Sequence, residues 1–232
     1  MNGHIHDPLW VKVFLAIHIA AGTMSFLLAP VALATAKGGR QHKRWGKVYL
    51  WSMGAVAATA VPMAFFFPVR FLALVAVFSF YLAFAGYRVL RLKDLSRGGD
   101  AKPIDWTAGV VTFAASALLV WLSAFRPASV EVIPTVGVIF GLIGISAAMR
   151  QMISFVYKPK EKMFWWYGHL GNFIGSYIAA WSAFSVVTLG QLLGNTWYLW
   201  LWPSILGVPA VAATTVYYKR KFAPKLRSTS AA

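Results

Sequence analysis

Long apolar segments separated by short polar connections run along the whole chain. Each is long enough to cross the roughly 30 Å hydrocarbon core of a bilayer as a helix, which takes about 20 residues. The pattern therefore predicts an all-α integral membrane protein built as a seven-transmembrane helix bundle. The predicted spans cover residues 9–34, 48–67, 70–90, 105–125, 132–153, 164–189 and 198–218.

The basic residues are distributed unevenly between the connections. Of the 22 Lys and Arg residues, only Lys12, Arg70 and Arg126 lie on one side, and the other 19 lie in alternate connections and the C-terminal segment. Because positive charge accumulates in short cytoplasmic loops, the N-terminus is predicted outside and the C-terminus in the cytoplasm. We expect one transmembrane domain over residues 1–219 and a basic, disordered cytoplasmic tail over residues 220–232.

Composition agrees with a membrane protein. Of the 232 residues, 59% are hydrophobic and only 12% are charged, which is far from the balance of a soluble domain. The net charge of +16 does not indicate nucleic acid, because the basic residues alternate with the spans; the expected partners are the lipid bilayer and anionic lipid headgroups at the cytoplasmic face. The absence of cysteine excludes disulfides, iron–sulfur clusters and thiol catalysis.

His18 is an ionisable residue inside the first predicted span. Ala21, Gly22, Ser25 and Ala29 follow it at helical spacing, and such a stripe of small residues favours close packing against another helix. We therefore expect His18 to face the bundle. It is either a structural histidine bonded to a neighbouring helix or a residue that binds a ligand or transfers protons.

His169 opens the sixth predicted span near its cytoplasmic end. Tyr167, Asn172, Arg150, Gln151 and Arg88 are expected on the same side of the membrane, so a basic pocket rimmed by aromatic residues is one interpretation. The alternative is an interfacial histidine that meets headgroups and water.

His42 lies in the basic connection 'RQHKRWGK' after the first span. Taken alone, this segment is typical of a lipid-headgroup patch. Its position on the same membrane side as His169 suggests a shared site. The candidate cofactor-binding residues are thus His18, His42 and His169, and the candidate pocket residues are Arg40, Tyr49, Arg88, Arg150, Tyr167 and Asn172.

Other polar groups give weaker signals. The 'HIH' at residues 4–6 with Asp7 resembles a surface metal motif, but it is short and terminal. Asp105 is expected to be the N-terminal cap or a first-turn carboxylate of the fourth helix. No paired carboxylates, linked nucleophile and base, or phosphate-binding loop occur, so hydrolase chemistry of the soluble type has no support and no catalytic residue is assigned.

Two segments, 'HIAAGTMSFLLAPVALATAKGGRQHKRWGKVYLWSM' and 'HLGNFIGSYIAAWSAF', resemble the signatures of a family of bacterial predicted membrane proteins, domain-of-unknown-function family 2306. The resemblance covers most of the chain and implies a multi-pass protein of the bacterial inner membrane, without an activity. The matching positions are His18, Gly22, Pro30, Lys37, Gly38, His42, Gly46, Tyr49 and His169.

Three functions are compatible with these residues. The first is a redox protein that binds haem b or a metal ion through paired histidines. One haem held by both His18 and His169 would require the first span to break near Pro30, because helix rise places them about 15 Å or more apart; a second version pairs His42 with His169. The other two functions are a proton-coupled transporter and a non-catalytic subunit or assembly partner of a membrane complex.

Overall fold

The computed structural model describes residues 8–67, 70–126, 133–194 and 196–222. Within these ranges the chain is helical and contains no strand, which confirms the predicted all-α class. Two short 3-10 turns, Val89–Arg91 and Lys93–Arg97, follow the third helix. The helices are α1 Leu9–Ala34, α2 Arg40–Met63, α3 Arg70–Arg88, α4 Pro103–Phe125, α5 Pro134–Val156, α6 Phe164–Leu193 and α7 Trp197–Phe222.

Six of these helices are long and apolar enough to cross a membrane, namely α1 and α3 to α7. The helix outside this set is α2, whose first two turns carry Arg40, Lys43, Arg44 and Lys47. It begins eight residues before the predicted apolar segment, because a helix is held by its backbone hydrogen bonds and can continue through charged residues. Hydropathy alone therefore predicted the apolar part of α2 but not its start.

Helix ends follow local chemistry. Pro103 and Pro134 begin α4 and α5, where the missing proline N–H would have no helical partner. Pro30, by contrast, lies inside α1, which continues without a break to Ala34. The break near Pro30 that would let His18 and His169 share one haem is therefore absent. At the other end of the chain α7 continues to Phe222, three residues past the predicted domain boundary at residue 219.

Helix α3 is the most buried of the candidate spans and packs against α2, α4 and α6. An aromatic cluster ties it to α5 and α7: the ring of Phe71 meets Trp200 edge-on at 4.8 Å and Phe140 at 5.9 Å. Such edge-to-face pairs add specific geometry to apolar burial. Because α3 contacts several helices, side chains on its different faces can reach separate sites.

Helices α4 and α5 form a close pair. A Cβ atom on Gly141 or Gly144 would overlap α4 at Val120 and Ser116. Glycine at these positions lets the two backbones approach, as small residues do in membrane helix pairs. The α4–α5 pair lies against α3.

Candidate functional site

His42 lies in the first turn of α2 and reaches back to α1. Its Nδ1 donates to the carbonyl oxygen of Ala32 at 2.9 Å. The short connection through Gly38, which has a φ of 77°, turns the chain so that the start of α2 meets the end of α1. Because a carbonyl can only accept, the neutral His42 ring carries its proton on Nδ1 and a lone pair on Nε2.

His169 lies in the second turn of α6 and makes the same kind of bond to α3. Its Nδ1 donates to the carbonyl oxygen of Gly86 at 2.9 Å. Gly86 permits this contact, because a Cβ there would lie 2.6 Å from Cδ2 of Phe173 on α6. The neutral His169 ring is therefore fixed in the same tautomer, with its lone pair on Nε2.

The two imidazoles are neighbours. Their ring centroids are 6.0 Å apart and their planes are inclined by 73°. No hydrogen bond to Nε2 of either ring is made by the part of the chain that the structure describes. Four helices, α1, α2, α3 and α6, thus hold two rings with both lone pairs available. A histidine that ligates a metal through one nitrogen typically donates its other ring N–H to a carbonyl or carboxylate in this way.

Aromatic and hydroxyl groups support the pair from inside the bundle. The ring of Phe173 lies 4.9 Å from His169 and 5.9 Å from the buried ring of Tyr49. The Tyr49 hydroxyl donates to Oγ of Ser176 at 2.9 Å, and Ser176 in turn donates to the carbonyl of Ser79 at 2.8 Å. These contacts fix α2 and α6 against α3, so the side of the site toward the core is rigid.

One cation lies near the pair. Lys37, in the connection between α1 and α2, is close enough to His169 to act on it electrostatically. Its ammonium donates to the carbonyl of Leu33, and partial burial lowers its pKa below the usual value. A positive charge here would stabilise an anionic group bound beside the imidazoles.

The structure brings some of the predicted pocket residues to this site and not others. Tyr49 is joined to it through Phe173, and Asn172 lies beside Gly86, with its Cβ 3.2 Å from where a Cβ on that glycine would lie. Tyr167 instead lies under Lys219 of α7, whose Nζ is 5.2 Å from the ring centroid. Arg40 and Arg150 are exposed.

Arg88, the last predicted pocket residue, is engaged elsewhere. Its guanidinium forms a bidentate ion pair with Asp105 at 2.7 and 2.8 Å, and the backbone N–H of Lys102 donates to the same carboxylate at 2.9 Å. Asp105 thus supports the start of α4, as predicted, and also joins α3 to α4. Sequence reasoning missed this pair, although opposite charges at the ends of consecutive helices were a signal for it.

His18 is separate from the pair. Its Nδ1 lies 3.0 Å from Oγ1 of Thr59 on α2, and the Thr59 hydroxyl itself donates to the carbonyl of Ala55 at 2.7 Å. The predicted packing of its small-residue face is confirmed, since Ala21, Ser25 and Ala29 are buried. His18 precedes Ala32 by 14 residues on the continuous α1, or about 20 Å of helix rise, so the three histidines do not form one cluster.

Metal-binding groups of three or more His, Asp or Glu side chains are absent from the described ranges. The 'HIH' segment with Asp7 lies outside these ranges. Comparison of the chain with protein-family models, with curated proteins and with solved structures gives no match. The resemblance to domain-of-unknown-function family 2306 stays a prediction.

Proposed function

We propose that this chain is a multi-pass membrane protein whose His42–His169 pair holds a redox-active metal centre, with haem iron as the form that suits the ligand set best. The observation that carries the proposal is the pair itself. Both Nδ1 atoms donate to backbone carbonyls at 2.9 Å, and both Nε2 lone pairs are left on rings 6.0 Å apart.

The ring separation fits coordination of one metal between them. An imidazole nitrogen bonds a metal at about 2 Å, which puts the ring centre roughly 3 Å from the ion, so two rings on opposite sides are separated by roughly 6 Å. The measured separation is 6.0 Å.

The ligand count favours haem over a bare ion. Structural zinc takes four protein ligands, whereas the described residues offer no group of three or more His, Asp or Glu. Haem would need only two ligands from the protein, which His42 and His169 would supply, and it would bring one-electron chemistry when bound. Gly46 lies one turn after His42 on the same face of α2, and a Cβ there would meet open space, so this face of α2 is not closely packed one turn away from His42.

The test is purification in mild detergent, followed by an absorption spectrum before and after dithionite and by metal analysis. We expect a Soret band that shifts on reduction and about one iron per chain. His42→Ala and His169→Ala should each lose the band, and added imidazole should restore part of it. His18→Ala is the matched control and should keep the band.

Each result bears on the proposal. Neither a Soret band nor stoichiometric metal in the wild type would overturn it. If the wild type contains stoichiometric metal but no Soret band, and both site variants lose that metal, then His42 and His169 are the ligands of a metal ion and not of haem. Full retention in both His42→Ala and His169→Ala would show that other residues are the ligands.

We further propose that α2 is a seventh span, that the N-terminus is outside, and that the protein lies in a bacterial inner membrane with its basic connections against anionic headgroups. The support is the distribution of charge: the 19 basic residues fall on one side only if α2 crosses. The apolar residues of α2 after Lys47 run to Met63, and the helix packs between the candidate spans α1 and α3.

The cysteine-free sequence allows a direct test by single cysteines and a membrane-impermeant thiol reagent. Lys43 lies in the first turn of α2 and Phe65 just after its last residue, and both are exposed. Each is replaced by cysteine in turn. We expect Phe65→Cys to be labelled in intact spheroplasts and Lys43→Cys only in inverted vesicles. Labelling of both from the same side would contradict a seventh span.

A further inference from the structure

A second candidate site lies between the connection from α3 to α4 and the start of α6. It is a cavity of about 220 Å³ lined by Lys93, Asp94, Ser96, Arg97, Lys162 and Trp165. None of these residues belongs to the histidine pair, and the inference below does not depend on the metal centre.

The connection that forms one wall is held in place by buried apolar residues. Leu92 lies between the two 3-10 turns and Leu95 lies in the second. They are 5% and 1% exposed and pack against Phe155 of α5. Gly98, with a φ of 93°, ends the second turn, and the Lys158 ammonium donates to the carbonyl of Gly99 at 2.7 Å. The backbone of this wall is therefore held in place, and the side chains that it directs to the cavity are polar.

The charge of the cavity favours an anion. Three cationic side chains, Lys93, Arg97 and Lys162, line it against one carboxylate, Asp94. The contact between Arg97 and Asp94 is long, at 4.0 Å, and both side chains are more than 80% exposed, so this ion pair is weak and leaves the guanidinium free to turn. Arginine and lysine around one space are typical of phosphate recognition.

An aromatic ring completes the site. The Nζ of Lys93 lies 4.0 Å from the ring centroid of Trp165, a cation–π contact that holds the ammonium at the cavity wall. Trp165 is the second residue of α6, and Lys93 follows the candidate span Arg70–Arg91. Both therefore lie where a span ends, the depth at which tryptophan and lysine meet headgroups.

We propose that this cavity binds a phosphate group carried by an organic molecule, through the cations of Lys93, Arg97 and Lys162. A volume of about 220 Å³ is several times that of a water molecule in the liquid, so it holds a phosphate together with part of the group that bears it. Two sources share this chemistry: an anionic phospholipid headgroup and a soluble phosphate ester.

The test measures thermal unfolding of the purified full-length protein in detergent with four probes: short-chain phosphatidic acid, short-chain phosphatidylcholine, glycerol 3-phosphate and inorganic phosphate. We expect phosphatidic acid to raise the unfolding temperature and phosphatidylcholine to leave it unchanged. A similar rise with glycerol 3-phosphate would identify a soluble ester as the ligand, and a rise with phosphatidic acid alone would identify a lipid.

Variants separate this cavity from general surface charge. Replacing Lys93, Arg97 and Lys162 together by Gln should weaken binding by at least about tenfold, since charge-assisted hydrogen bonds are lost. Replacing Lys43, Arg44 and Lys47 by Gln removes the same charge from α2 and should leave binding unchanged. Equal weakening in both triple variants, no response to any phosphate probe, or an equal response to phosphatidylcholine would overturn the proposal.

Discussion

The ion pair between α3 and α4 gives the sharpest prediction about stability. The carboxylate of Asp105 is 2% exposed and accepts two hydrogen bonds from Arg88, whose side chain is 11% exposed. Asp105→Asn keeps the size of the side chain and an oxygen that can accept from Lys102, but it removes the charge that neutralises Arg88. We expect this change to destabilise the fold strongly.

The expected magnitude follows from what the substitution leaves behind. Removing one partner of a buried ion pair leaves the other charge uncompensated and costs about 3–5 kcal/mol. Arg88 ends its helix and keeps some exposure, so the low end applies, about 3 kcal/mol in the free energy of unfolding. Asp100→Asn is the matched control. Asp100 also forms an ion pair, with Lys158 at 2.8 Å, but its side chain is 89% exposed. Removing its charge should therefore lower the free energy of unfolding much less.

The assay is unfolding by titration of SDS into mixed micelles, followed by circular dichroism. A double variant, Arg88→Leu with Asp105→Leu, separates the lost attraction from the stranded charge. Because apolar replacement of a whole buried pair is often neutral, the double variant should be more stable than Asp105→Asn alone. Equal destabilisation by Asp105→Asn and Asp100→Asn, or a double variant less stable than Asp105→Asn, would refute the reasoning.

Two further predictions concern packing and pH. Gly86→Ala should destabilise the protein by about 1–3 kcal/mol, because the added Cβ would lie 2.6 Å from Phe173. The Cβ of Gly22→Ala would meet open space, so this variant should be neutral or stabilised by up to about 1 kcal/mol. Equal shifts of the two variants in an SDS titration would contradict this prediction. The hydrogen bond from Lys158 holds the pKa of the Asp100 carboxyl below its usual value, so the contact stabilises the fold above the unfolded pKa of about 4 and is lost as the pH falls through the lower folded pKa. The difference in unfolding temperature between wild type and Asp100→Asn should therefore narrow in acid, and a difference independent of pH would disprove the linkage.

The helical architecture could be predicted because hydropathy and length determine which segments can enter a bilayer. The limits of α2 could not, since its first two turns are helical but basic. Hydropathy reports the depth of a residue in the membrane, whereas helicity depends on backbone hydrogen bonds, and the two coincide only within the hydrocarbon region. Arg40 and Lys47 lie in the part of α2 that is helical but basic, so hydropathy does not predict the helix there.

The histidine pair could likewise be predicted only in part. That His42 and His169 lie on one side of the bundle followed from the order of spans and loops, and the structure brings their rings to 6.0 Å. Their partners did not follow, because both are backbone carbonyls, of Ala32 and Gly86, and no side-chain pattern encodes which carbonyl a neighbouring helix will present. The sequence does contain the residue that this contact requires, a glycine at position 86, because a Cβ there would push α6 away.

The same reasoning explains why Arg88 does not join the histidines. It is two residues from Gly86 and was expected beside His169, but successive residues on a helix point about 100° apart, so neighbours in sequence face different helices. Gly86 faces α6 and Arg88 faces α4, where the buried Asp105 carboxylate neutralises it. A guanidinium turned toward the imidazoles would leave Asp105 buried without its counter-charge, which is less favourable than the bidentate pair. The buried carboxylate on α4 therefore keeps the α3 arginine away from the histidine pair, whereas Lys37 lies close enough to act on His169.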